Sequence, residues 1–182
     1  MLARPLFTGL LCGLALVSWS CQRQEEGGET GEMPAAEAMQ EVALPETAGV
    51  AVWEYLEAVD YTANWELWPD KGELYEGQEP HGVLLTTYLN SAAYEAVTGM
   101  AGSMPVGAII VKENYMPDST LAAITIMYKV DGYDPDNNDW YWVKRLADGT
   151  IEVEGMGAGC IACHAAQRDN DFVFTGSLSA EM

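Results

Sequence analysis

Two apolar runs constrain the fold of this chain more than anything else in it: Val106–Glu113 (VGAIIVKE) and Leu121–Val130 (LAAITIMYKV). Both are of strand length and rich in β-branched residues, and the NYMPDST between them holds the Pro, Asp, Ser and Asn of a reversing turn. They predict an antiparallel pair. A third run, Trp140–Leu146 (WYWVKRL), follows the turn GYDPDNND and leads to a short strand at Ile151–Val153. Upstream, Gly82–Leu89 (GVLLTTYL) reads as strand, and Asn90 is placed to cap a helix over SAAYEAVTG. Val50–Val59 has apolar residues at helical spacing, whereas NWELWPDKGELYEGQEPHG, broken by Pro and Gly, reads as loop. The fold class expected is α+β, predominantly antiparallel β-sheet with a few short helices.

The chain before this domain has a different character. Arg4 and the twelve-residue apolar run Leu6–Val17 predict an export signal over residues 1–20. That run is too short for a permanent span, which takes roughly 20 residues. Ser20-Cys21 resembles the end of a bacterial lipoprotein signal, with Cys21 as the lipidated residue, although Ser18 and Trp19 depart from the usual lipobox. Ordinary secretion with cleavage nearby is the alternative, and Cys12 is lost either way. Residues 21–48 contain no aromatic side chain and are rich in Glu, Gly and Ala, the composition of a flexible acidic tether. Residues 49–182 are then the folded domain, exported to the periplasm and held at a membrane by lipid at Cys21 where that cysteine is acylated.

Charge narrows the partners. The 182 residues carry a net charge of −20, and residues 49–182 hold only 6 cations against 21 acids. Nucleic acid is excluded, because too few cations exist to neutralise phosphates, and anionic headgroups are disfavoured. Small molecules and a basic redox partner protein remain.

The chemistry concentrates at Cys160-Ile161-Ala162-Cys163-His164. C-x-x-C-H is the attachment sequence of c-type haem. Two thiols three positions apart can add to the two vinyl groups on one porphyrin edge, and the adjacent histidine lies beneath the iron as proximal ligand. One haem c is expected. A zinc site would need a fourth ligand, a thioredoxin-like dithiol would prefer a βαβ setting, and a disulfide over so short a loop is strained.

The other axial position decides the function, because a sixth protein ligand makes an electron carrier and an open site makes a binder or an enzyme. His81, in Glu79-Pro80-His81-Gly82, is the other of the two histidines, and reads either as a distal ligand or as a pocket-rim residue. Five methionines of the domain (Met100, Met104, Met116, Met127, Met156) are gap fillers before they are ligands. In VGAIIVKE the period of two puts Ile110 and Lys112 on one face and Ile109, Val111 and Glu113 on the other, so one of Lys112 and Glu113 is expected to point inward or to a rim. An inward lysine, once desolvated, is a nucleophile. Trp140 and Trp142 share a face opposite Tyr141 and Val143, as core or as pocket wall. Asp169 and Asp171 are expected to be solvated.

CIACH followed by DNDFVFT, with IIVKENY and NDWYWVK upstream, resembles the cytochrome P460 family, which includes the cytochrome c′-β proteins. The resemblance covers roughly residues 50–177 and is strongest after Val106. It implies a sheet-dominated homodimer with a proximal histidine and an open distal site for small nitrogen species such as hydroxylamine or nitric oxide. In the P460 branch a lysine is joined covalently to the porphyrin and hydroxylamine is oxidised with an external electron acceptor. In the c′-β branch the cross-link is missing and gases are bound in an apolar pocket. Cys160, Cys163 and His164 match the haem motif, and Lys112 matches the cross-linking lysine. Two departures count: Leu85 falls where hydroxylamine-oxidising members carry a distal arginine, and Ile124 falls near their distal carboxylate. His81 is the candidate to substitute as base. The expected function is oxidoreductase or ligand-binding chemistry on small nitrogen species, with a non-catalytic gas binder and a six-coordinate electron carrier as alternatives.

Overall fold

A computed structural model describes residues 43–180. The expected signal, Cys21 and most of the expected tether lie outside the described residues. A seven-stranded antiparallel sheet runs in the order β1-β3-β4-β5-β6-β7, with β2 also on β3. The strands are β1 (Glu66–Leu67), β2 (Tyr75–Glu76), β3 (Leu84–Leu89), β4 (Ile109–Tyr115), β5 (Leu121–Lys129), β6 (Trp140–Leu146) and β7 (Ile151–Gly155). The helices are α1 (Gly49–Ala58), α2 (Tyr61–Asn64), α3 (Ser91–Thr98) and α4 (Ala158–His164), with short 3₁₀ segments at Pro135–Asn137 and Ala165–Asn170. This is the expected α+β class.

Apolar residues on both faces of the central strands require cover on both, and the alternation divides the core in two. Ile109, Val111, Ile124, Ile126, Tyr141 and Val143 pack with Val52, Leu56 and Tyr61 of α1 and α2. Ile110, Trp140 and Trp142 face the other way, onto Ala93, Ala96 and Val97 of α3 and onto Phe172, Val173 and Leu178 of the C-terminal segment. Asn90 joins the two kinds of element. Its Oδ1 accepts from Ala93 N at 3.1 Å, capping α3, and from Ile109 N at 3.0 Å, while its Nδ2 donates to Gly107 O at 2.8 Å.

Two local readings change. The stretch expected to be loop contributes β1 and β2, two-residue ladders on β3 that are too short to show a period. β4 begins at Ile109 rather than Val106, because Gly107 (φ 87°) turns the chain and Val106 projects to solvent.

Candidate haem site

The site lies on the sheet face that carries Ile110, Lys112 and Trp142, under α4 and the segment that follows it. His164 ends α4 and is buried. Its Nδ1 lies 2.7 Å from the carbonyl oxygen of Phe172. A carbonyl only accepts, so Nδ1 carries the proton and Nε2 keeps a lone pair. Burial and the nearby charge of Lys112 favour the neutral ring, while the Phe172 bond works the other way; the net shift is downward. The rings of Trp142, Phe174 and His81 stand around it, with centroids 4.8, 5.3 and 6.0 Å away.

The chain reverses to bring that carbonyl back. Asp171 (φ 52°) and Phe172 (φ 65°) are both left-handed, a conformation Asp tolerates better than most residues. Asn170 ties the reversal: its Nδ2 donates to Val173 O and Gly176 O at 2.6 and 2.8 Å, and its Oδ1 accepts from Leu178 N. Asp171 is not solvated as expected. It is 3% exposed, bonded to Lys129 Nζ through both oxygens (2.7 and 2.9 Å), and accepts from Asn138 Nδ2 and Met104 N. Asp169 is exposed.

Cys160 and Cys163 are free thiols three positions apart on α4. Cys160 is half-buried, and burial pushes its thiol pKa up. Both line a cavity of about 260 Å³ whose walls include Ile110, Met127, Val153, Val173 and Phe174. A second cavity of about 310 Å³ adjoins it, sharing His81, Lys112, Cys163, His164 and Thr175 and extending beneath the 71–80 segment. Among the described residues no group of three or more His, Cys, Asp and Glu side chains is placed to hold a metal ion.

Lys112 and Glu113 are both inside, on opposite faces. Glu113 is buried and accepts from the hydroxyls of Tyr61 at 2.7 Å and Tyr115 at 2.6 Å. Lys112 lines both cavities, and its Nζ donates to Thr175 Oγ1 at 3.2 Å. Burial lowers its pKa from 10.5 to about 8. Leu85 lines the second cavity, opposite Asn114 in register. Ile124 does not belong to the site. It pairs with Glu113 and packs in the core on the far face, because neighbouring strand residues point to opposite sides. Ala123, Thr125 and Met127 are the β5 residues at the cavity, and none of them is an acid.

His81 does reach the site. Its Nδ1 is 3.1 Å from Asn114 Oδ1. Its pKa falls to about 4, through burial first and then the charges of Lys112 and His164. Asn114 was hidden in what reads as turn, although it stands two residues from Lys112 and so shares its face. Its Nδ2 donates to Lys112 O, Ala123 O and Thr125 Oγ1 at 2.9, 3.1 and 3.2 Å.

A haem c suits this donor set: two thiols on one helix, an adjacent imidazole with a free Nε2, and apolar walls. Trp142 lines the same cavity, and its Nε1 is a buried donor with no partner among the described residues, as expected of a wall built around a further polar group. The family model for cytochrome P460 matches residues 62–175. The chain belongs to the cytochrome P460 family. It is therefore a c-type haem protein. No curated protein matches the chain in sequence.

Proposed function

We propose that this member of the P460 family is an exported mono-haem cytochrome that binds or oxidises small nitrogen species such as hydroxylamine or nitric oxide. Its haem is held by thioether bonds to Cys160 and Cys163, with His164 as the proximal iron ligand. The observation that carries the reading is His164, whose Nδ1 is fixed by Phe172 O and whose Nε2 is left free beside two thiols in an apolar cavity. When bound, haem supplies an iron that takes a small nitrogen ligand and passes its electrons to an external acceptor. The chain's own residues set the conditions around it. Apolar walls exclude water, and Thr175 holds the Lys112 amine in the cavity. A pKa of about 8 leaves roughly a tenth of that amine unprotonated and nucleophilic at pH 7, which supports a Lys112 cross-link to the porphyrin once an external oxidant takes up the two electrons released when a C–H bond gives way to a C–N bond.

A second reading, a gas-binding protein without turnover, is favoured by Leu85, by the absence of any acid among Ala123, Thr125 and Met127 on the cavity face of β5, and by the pairing of Glu152, the acid that does line the cavity, with Lys144. Hydroxylamine oxidation releases protons and is slowed without a base nearby. The Arg4–Cys21 leader supports periplasmic export with a lipid anchor, the acidic domain supports a basic redox partner, and the family supports a homodimer. The test is the ferrous spectrum of the matured protein, followed by addition of hydroxylamine and an electron acceptor. A red-shifted Soret-region band and acceptor reduction support the oxidase. A normal c-type spectrum with nitric oxide binding and no acceptor reduction supports the gas binder. Absence of covalent haem after maturation with cytochrome c assembly factors overturns both.

A further inference from the structure

Both histidines of the chain face one cavity, and each is held in the same way. Their ring centroids are 6.0 Å apart and their planes meet at 87°. Two imidazoles on opposite sides of one metal at the usual 2.0–2.1 Å would have centroids roughly 6 Å apart, a separation these two rings match.

The tautomers agree with this. Asn114 cannot be flipped, because its Nδ2 donates to the carbonyls of Lys112 and Ala123, which only accept. Its Oδ1 therefore faces His81, and His81 Nδ1 must carry the proton. Nε2 is left with its lone pair, as in His164. A ligand histidine that donates its other N–H to a fixed oxygen is the usual arrangement at metal centres, and here Asn114 and Phe172 play that part for one ring each.

The backbone holds His81 in place. Gly77 N donates to Val83 O at 2.9 Å, and His81 N to Gln78 O at 3.2 Å. A side chain at Gly77 would collide with Gly82 O and with Leu85, so glycine lets this loop close tightly over the cavity.

We propose that His81 is the second axial ligand of the haem iron, so that the resting protein is six-coordinate and a small ligand binds by displacing the His81 imidazole. This rests on the reading that the cavity holds a covalent haem. It deepens that reading by closing the distal site at rest and by selecting for ligands that outcompete imidazole.

The test uses the full-length protein matured with haem. Covalent attachment is established first, by haem staining after denaturation. Ferric absorption and electron paramagnetic resonance spectra then report the spin state of wild type and His81→Gly, the latter with and without added imidazole. The expected result is low-spin iron in wild type, high-spin iron in His81→Gly, and a return to low spin with imidazole. Azide should bind at least tenfold faster to the glycine variant. His81→Met supplies a second variant, expected to stay low-spin with a higher reduction potential. High-spin wild type with haem attached, or a His81→Gly spectrum unchanged from wild type, overturns the proposal and leaves the haem reading intact. Wild type without covalent haem overturns the haem reading itself.

Discussion

Asp171 is the residue on which the proximal side depends, and its removal is the sharpest test of how the site is held. Asp171 and Lys129 are 3% and 9% exposed and form an ion pair through both carboxylate oxygens. Asp171→Ala leaves a buried ammonium, the Asn138 amide and the Met104 N–H without their acceptor. Removing one partner of a buried pair costs about 3–5 kcal/mol, and an unmet buried N–H about 1–3 kcal/mol, partly overlapping. The expected loss is about 4 kcal/mol. Lys129→Met in the same protein removes the stranded charge, so the double variant should be more stable than Asp171→Ala alone, by about 1–2 kcal/mol. The assay is urea unfolding of the haem-loaded protein followed by far-ultraviolet circular dichroism. With a slope of about 2 kcal/mol/M, the midpoint of Asp171→Ala should fall by about 2 M and that of the double variant by less. An Asp171→Ala loss below about 1 kcal/mol, or strict additivity of the two changes, would refute the reasoning.

Three further outcomes are expected. Cys160→Ser/Cys163→Ser should release all haem on denaturation, whereas either single change should retain one thioether, as read by mass spectrometry of the denatured chain. In that haem-free double variant, Lys112 should contribute stability that rises with pH between about 8 and 10.5, because its folded pKa lies below its unfolded value and the unfolded chain binds the extra proton in that window. Lys112→Met should flatten this rise in urea midpoints measured at pH 7.5 and 9.5. Asn90→Ala should cost about 2–3 kcal/mol in the same unfolding assay, since it removes the α3 cap and strands Ile109 N and Gly107 O.

The sheet was legible because its central strands are long enough to show their character. β5 and β6 fall where LAAITIMYKV and WYWVKRL place them, and the split of Trp140 and Trp142 from Tyr141 and Val143 follows the period of two. β1 and β2 were not legible, because two residues carry no period and their pairing is imposed by β3. Asp171 was misread for a different reason. Nothing near it announces burial, and its partner Lys129 lies 42 positions away. A charge is buried when tertiary structure brings a counter-charge to it, and local sequence does not encode that meeting.

The misplacement of Ile124 shows where functional inference needs coordinates most. A register one residue out moves a side chain through the sheet, from the cavity to the opposite core. Here the distinction falls between Ile124, packed against α1 and α2, and Thr125, which bonds Asn114 inside the site. The covalent motif is contiguous and so survives any register error. The distal side is assembled from His81 on a loop, Asn114 on β4 and Thr125 on β5, three segments whose meeting depends on strand register at every step. The C-x-x-C-H motif is shared by electron carriers, gas binders and oxidases alike. What separates them is the opposite face of the iron, and the ligand proposed for that face, His81, is held by an asparagine 33 positions away.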